Sequence, residues 1–292
     1  FEEITCKNTQ VEKVILERPP VSGNDLYLTI DSQIQAYAEK SLGTNLGTII
    51  VMDPWTGEIL AMASYPRFNP NDVNEDFSKL VKNPSKPFLN RAIQGALPPG
   101  SIFKLITATA ALSTNRINTQ TTYECHGDTN YKNIIFRCWS AYGHGLVAIQ
   151  DAIPYSCNVF FLETAKILGG DPLYTWAKNF GIGEKTGIDL PYEKSGNMPK
   201  MMNTATVMNV AIGQGALLTT PLQLARIYAA VANGGTLVQP HLLLKLTNGQ
   251  GEVVRLFKPE KKQKLSIQPA TLETLLKSLL DEVTRGTAKN TG

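Results

Sequence analysis

Cysteine and charge are both scarce in this sequence: four cysteines in 292 residues, and only 18% charged side chains. Four thiols are too few to build a disulfide scaffold for a chain of this length, and their number alone does not fix a redox compartment. No uninterrupted apolar run approaches the roughly 20 residues that a bilayer crossing needs, and the opening FEEITCKNTQ lacks the pattern of a signal peptide. The expectation is a soluble chain, or the soluble part of an anchored one. The net charge of +3 is small, and no basic stretch is dense enough to follow a phosphate backbone, which argues against nucleic acid as a partner. Internal repeats and low-complexity segments are also absent.

What is present is an ordinary globular composition, 42% apolar, enough for one large domain or two smaller ones. Residues 1–24 are polar and end in a linker marked by Pro19, Pro20 and Gly23. A short strand is expected over 26–30, then an amphipathic helix, SQIQAYAEKSL, capped by Asp31. GTIIVMD and EILAMAS flank the turn PWTG and read as a hairpin, with Trp55 a surface residue of the turn. YPRFNPNDVNED reads as loop. Helices follow over 101–113, over VAIQDAIPYS as far as Pro154, over 158–168, over PLYTWAKNF, over 219–235 with Thr220-Pro221 at its start and Gly-Gly at its end, and over 269–283. Helices dominate, with few strands, so the expected class is α/β in the α+β sense: a helical subdomain beside a partial antiparallel sheet.

One stretch suggests chemistry. In GALPPGSIFKLITATAAL, Ser101 follows Pro-Pro-Gly, and Lys104 lies three positions on in an apolar run. Residues i and i+3 of a helix share a face, so the hydroxyl and amine stand side by side. A helix start offers unpaired N–H groups to a developing oxyanion, and a lysine in a dry pocket loses its proton more easily and can act as a base. A capped helix with a surface lysine has the same local pattern. Ser156-Cys157-Asn158, at a break between two helices, adds a second hydroxyl and an amide. A serine–lysine pair followed by Ser-x-Asn is the order found in penicillin-binding proteins and serine β-lactamases.

The longer blocks LPPGSIFKLITATAAL, AIPYSCNVFF, FGIGEKTGIDLP, IGQGALLTTPLQLARIYAAVANGG and VMDPWTGEILAMAS closely resemble the class B penicillin-binding proteins. The GHG and Cys-Trp blocks resemble the elongation-specific branch of that family. The resemblance runs over about residues 17–292 and implies D,D-transpeptidation of peptidoglycan. Residues 1–24 would be the tail of an N-terminal pedestal domain with its linker, and 25–292 the transpeptidase domain. Ser101 would be the nucleophile and Lys104 its base; Ser156 would relay a proton, and Asn158 would orient the peptide and the lysine. The Ser101 N–H would supply half of an oxyanion hole. Substrates would be stem peptides ending in D-Ala-D-Ala, which β-lactams mimic, and catalysis would need no cofactor. The implied location is the periplasmic side of the inner membrane, with a membrane glycosyltransferase and an elongation scaffold as partners. A serine β-lactamase, a β-lactam sensor and an inactive scaffold are the alternatives within this fold.

Two departures from the family pattern stand out. Lys185-Thr186-Gly187 matches the family's third motif in letters but sits inside FGIGEKTGIDLP, a separate and earlier block. The resemblance places the real third motif, on its strand, beyond RGTAKNTG and Gly292, so the chain by itself is not expected to turn over. The loop between SGNMPK and VMNVAIGQG is also shorter than the family usually has. Gln214 and Thr220-Pro221 recur in the family, and the resemblance implies that their region packs behind the active site, while His126 and His241 have no evident role.

Cys125, Cys138, His144 and Cys157 follow the spacing C-x12-C-x5-H-x12-C. Three thiols and an imidazole are a complete tetrahedral zinc set. If Ser156 and Asn158 face a cleft, Cys157 between them points inward, where a structural zinc would clamp the second motif to the polar excursion. Zinc sites at this place occur in some elongation-type relatives. A Cys125–Cys138 disulfide is the alternative, with His144 a turn residue; Cys6 reads as incidental.

Overall fold

The computed structural model describes residues 2–8, 11–18, 22–200, 203–258 and 263–290. The linker residues Pro19 and Pro20, and the part of the shortened loop at Met201 and Met202, lie outside the described residues. The chain divides into two compact units, Phe1–Thr29 with Leu243–Lys258, and Ile30–Leu242 with Pro259–Gly292.

The smaller unit is all antiparallel strand. Glu2–Asn8 pairs with Val11–Arg18, where the sequence reading had only a polar tail. Leu243–Thr247 lies between Asp25–Leu28 and Val253–Leu256 in a three-stranded sheet. The hairpin 243–256 was not foreseen, although Asn248-Gly249 between two apolar stretches is a turn signal. Asn248 Oδ1 closes that turn by accepting from Gln250 N and Glu252 N, at 3.0 and 2.9 Å.

The larger unit holds the helices. Asp31 caps Ser32–Leu42 as expected, its carboxylate accepting from Gln33 N and Ile34 N at 2.9 and 3.0 Å. That helix lies on the hairpin Gly47–Met52/Ile59–Tyr65, and Ala38, Leu42, Ala61 and Ala63 form the buried seam. At the hairpin turn Asp53 Oδ1 accepts from Trp55 N and Thr56 N, and the indole of Trp55 stays exposed. The expected loop at 65–76 is partly helical: Pro70–Asp72 forms a 3-10 turn that leads into the helix Val73–Lys82. Asn69 starts this segment by accepting from Asn71 N, a side-chain cap that the Pro-rich context disguised.

The core gathers around two neighbouring helices, Lys104–Ser113 and Asn158–Leu168. Every residue of the first from Lys104 to Leu112 is buried, and so are Val159, Phe160, Phe161 and Leu162 of the second. Phe103, Phe160, Phe161 and Phe180 are among the largest fully buried side chains. Each such phenyl contributes about 1.5–3 kcal/mol through removal from water. Gly170–Asn179 and Thr204–Ala211 pack around this pair, Pro269–Thr284 packs on the first of the two, and Pro221–Ala232 joins the same core through Ile227, Ala230 and Val231. Pro221–Ala232 carries a capping box in which Gln223 N donates to Thr220 Oγ1 and Thr220 N donates to Gln223 Oε1, an arrangement worth about 1 kcal/mol. Its end is followed by Gly234 and Gly235, both at positive φ.

Two helical expectations are corrected. Residues 100–103 wind as a 3-10 turn, and the α-helix starts at Lys104. Val147 and Ala148 of VAIQDAIPYS belong to the strand Gly145–Ala148, which pairs with Thr122–Cys125, and only Ile149–Ala152 is helical. Among the described residues the sheets have two or three strands each. The outcome is a helical body with partial antiparallel sheet, as expected.

Candidate active site and metal centre

The two central helices begin at one place, and this brings the predicted catalytic residues together. In a 3-10 turn side chains at i and i+3 eclipse, so Ser101, in Gly100–Phe103, stands over Lys104 at the first position of the α-helix. Gly100 takes φ +63° to make this turn, and its N–H donates to Gly213 O at 3.0 Å. A Cβ on Gly213 would lie 1.9 Å from Gly100 O. Gly213 therefore has to be glycine so that the IGQG segment can support the turn of Ser101 from behind, a contact that sequence reading located only as a region.

Lys104 is almost fully buried, yet its amine is fully engaged. Nζ donates to Ser156 O at 2.8 Å, to Ser156 Oγ at 3.0 Å and to Asn158 Oδ1 at 2.6 Å. It also lies 5.6 Å from the centre of the Phe161 ring. Burial pulls its pKa down from 10.5 to about 8, against the opposing charges of Cys138, Cys157 and Glu282. At pH 7 roughly a tenth of such an amine is neutral, compared with less than about a thousandth of an ordinary lysine. Ser101 and Ser156 are accessible, and they share with Lys104 a solvent-open cavity of about 460 Å³ walled by Ile153, Tyr228 and Glu282. Burial raises the carboxyl of Glu282 above its usual range and pushes the Tyr228 phenol up. Sequence reading named neither of these residues.

Ser156 adopts φ +50°, the left-handed region. This costs a non-glycine residue about 1–2 kcal/mol, and in return both its carbonyl and its hydroxyl face the amine. Asn158, the first residue of its helix, turns its oxygen to Lys104 and donates Nδ2–H to Arg137 O at 3.1 Å. The amide orientation is therefore set from both sides.

Behind this loop lie the four predicted ligand residues. Cys157 Sγ, Cys125 Sγ, Cys138 Sγ and a ring nitrogen of His144 lie within 4.8 Å of one another, and all three cysteines are buried free thiols. His144 Nδ1 is 3.6 Å from both Cys125 Sγ and Cys138 Sγ. A tetrahedral zinc with bonds of about 2.3 Å to sulfur and 2.0 Å to nitrogen separates its ligands by about 3.5–3.8 Å, so the arrangement fits that ion. Two glycines allow the polar excursion to wrap this closely. A Cβ on Gly143 would sit 1.9 Å from Cys125 O, and one on Gly127 would sit 2.3 Å from Ala141 O. The Cys157 thiol and backbone N–H groups at the start of the following helix lower the Cys138 pKa, while the neighbouring Cys138 raises that of Cys157.

Other candidates fall elsewhere. Thr186 is buried, its N–H and hydroxyl both donating to Glu193 Oε1, and Gly187 N donates to Glu193 Oε2. This is a structural turn around a buried carboxylate, in keeping with setting Lys185-Thr186-Gly187 aside. His126 is exposed beside Glu124.

The family described as "Penicillin binding protein transpeptidase domain" matches residues 47–292. A peptidoglycan D,D-transpeptidase MrdA of Acinetobacter baumannii is 40% identical over 254 residues, 80% of this chain and 37% of the relative. The MrdA of Escherichia coli K12 is 35% identical over 266 residues, 84% of this chain and 41% of the relative. The crystal structure of Pseudomonas aeruginosa PBP2 in complex with WCK 5153 superposes with TM-score 0.84 at 30% identity, covering 94% of this chain and 63% of that one. The chain thus spans about two-fifths of the length of the curated relatives it matches.

With lysine side chains carbon-13 labelled at Cε, one resonance is expected to titrate with a midpoint near pH 8 and to vanish in Lys104→Arg. The unfolded lysine keeps its proton to about pH 10.4. The unfolded state therefore binds more protons between these two values, and Lys104 makes stability rise with pH across that window. A spectrum in which every lysine titrates near pH 10.4 contradicts the assignment.

Proposed function

The chain belongs to the penicillin-binding protein transpeptidase family, and from that premise we propose that it carries the catalytic serine, base and relay of a peptidoglycan D,D-transpeptidase of the cell-elongation type. One observation carries this reading: the Lys104 amine is held by Ser156 and Asn158 beside the accessible Ser101. In the proposed reaction Ser101 Oγ attacks the carbonyl between the two terminal D-alanines of a stem peptide, and neutral Lys104 takes its proton. The Ser101 N–H lies at a helix start, where first-turn donors lack an intrahelical partner, and it stabilises the oxyanion. As the intermediate collapses, the C–N bond breaks, and Ser156 passes its hydroxyl proton to the departing D-alanine amine while taking the proton held by Lys104, 3.0 Å away, which leaves Lys104 neutral again. The amine of a second stem peptide then attacks the acyl-serine and loses a proton to Lys104; as the acyl C–O bond breaks, Lys104 returns that proton to Ser101, leaving the cross-link and the free serine. β-Lactams enter the same first step, but their leaving group stays attached.

A structural zinc held by Cys125, Cys138, His144 and Cys157 is part of the proposal. When bound it supplies cross-links between chain segments and no catalytic chemistry. Its ligands would tie Cys157, between Ser156 and Asn158, to Cys138, next to the Arg137 carbonyl that orients Asn158. The remaining elements rest on family and relatives: action outside the cytoplasmic membrane, and assembly with a glycosyltransferase and an elongation scaffold. Among solved neighbours are a peptidoglycan synthase complex that coordinates polymerization and crosslinking, with TM-score 0.83 at 32% identity, and a Helicobacter pylori PBP2–MreC complex, with TM-score 0.78 at 28% identity. Among the described residues no helix is long and apolar enough to cross a membrane.

On the whole protein, fluorescent penicillin is expected to label Ser101 stoichiometrically and persistently, and Ser101→Ala to abolish labelling. Rapid loss of the label would identify a β-lactamase instead, and absence of labelling would overturn the reading. Metal analysis of protein purified without chelator is expected to find about one zinc per chain, lost in Cys157→Ser together with a lower melting temperature. A metal-free protein with a Cys125–Cys138 disulfide on thiol titration would overturn the zinc assignment.

A further inference from the structure

The segment just before Ser156 is tied to the end of the last helix by one side chain. Arg285 follows Pro269–Thr284 as its C-cap. Its Nη1 donates to Asp151 Oδ1 at 2.9 Å and to Tyr155 Oη at 3.0 Å. Its Nη2 donates to Gln150 O at 3.2 Å and to Asp281 Oδ2 at 2.9 Å. The guanidinium also lies 5.4 Å from the centre of the Tyr155 ring. The next two residues continue the attachment: Thr287 N donates to Pro154 O at 3.0 Å, and a Cβ on Gly286 would lie 2.4 Å from that same oxygen. On its other side Tyr155 is held through its carbonyl, which accepts from Trp139 Nε1 at 2.9 Å.

We propose that Arg285 is a positioning residue for the reaction, a bridge that holds residues 150–155 so that Ser156 keeps its left-handed backbone and presents two oxygens to Lys104. A left-handed serine relaxes unless its neighbours over-determine it. Relaxation at Ser156 rotates its carbonyl and hydroxyl together, and these are two of the three acceptors around Lys104 Nζ. Arg285 reaches neither Ser101 nor Lys104 in any recorded contact, so it acts through the loop. Only a planar fork can satisfy a carboxylate, a phenol and a carbonyl on the loop while staying paired with Asp281 on its own helix; a lysine at this position keeps the charge but loses part of that reach. An exposed ion pair adds little stability, whereas displacing a catalytic group by about 1 Å can cost up to about 100-fold in rate. The bridge is therefore expected to matter more for rate than for melting temperature.

The inference rests on the transpeptidase reading and is tested with penicillin acylation kinetics on the whole protein. Arg285→Met is expected to lower the acylation rate constant at saturating penicillin by about ten-fold, and Asp151→Asn, which breaks the bridge from the loop side, to lower it in the same direction. The double variant is expected to be no slower than Arg285→Met alone, and Arg285→Lys to recover part of the rate. The final labelled fraction and the penicillin concentration for half-maximal rate are expected to stay unchanged, with the melting temperature within about 4 °C of the unsubstituted protein. Rates within about two-fold of the unsubstituted protein in both single variants, or a loss confined to the labelled fraction, would overturn the proposal. Failure of the unsubstituted protein to label would overturn the transpeptidase reading, and this inference with it.

Discussion

A primary amine buried at the start of one helix, 2.6–3.0 Å from three oxygens around the start of another, is the constraint the rest of the structure has to satisfy. Burying that amine disfavours its charge, which brings its pKa into the range useful to a base. The same burial would be costly without acceptors, and the fold supplies them by holding Ser156 in a strained backbone and Asn158 in a fixed amide orientation. The central helices, with their continuous apolar faces, act as a rigid mount for this contact.

The loop of Ser156 is supported from two sides, each by a device that uses few apolar residues. On one side the polar excursion of 122–148 gathers its cysteines and His144 behind Cys157, so that thiol and imidazole contacts stand in for a core. On the other side the turn after the last helix reaches back through Arg285, Gly286 and Thr287 to Pro154 and Tyr155. Ser101 has its own support in the backbone contact of Gly100 with Gly213. Each support lies far along the sequence from the group it steadies, and each converges on a short segment that could not hold its shape alone.

The sequence carried much of this arrangement but not all of it. Helices with apolar periodicity and capping residues, such as 32–42 after Asp31 and 221–232 after Thr220, were legible because the signal is local. The residue set Ser101, Lys104, Ser156 and Asn158 was legible only through long blocks that resemble a family; a serine three residues before a lysine is also an ordinary helix start. Strands 243–247 and 253–256 were missed although the turn between them carries a local signal: 243–247 finds its other partner in the distant 25–28, and the side chains of 253–256 are exposed. The end of strand 145–148, Val147 and Ala148, was read as helix because it runs directly into one. Arg285, Glu282 and the Arg137 carbonyl left no sequence signal, because each matters through where the chain folds back.

The central claim is that Lys104, in its neutral form, takes the proton from Ser101. The most direct test is the pH dependence of the penicillin acylation rate constant, measured alongside the titration of Lys104 itself. The account predicts a rate that rises with pH through a midpoint near 8, coincident with the lysine titration, and collapses in Lys104→Arg. A rate that stays flat from about pH 6 to 9, or that survives in Lys104→Arg, would contradict it.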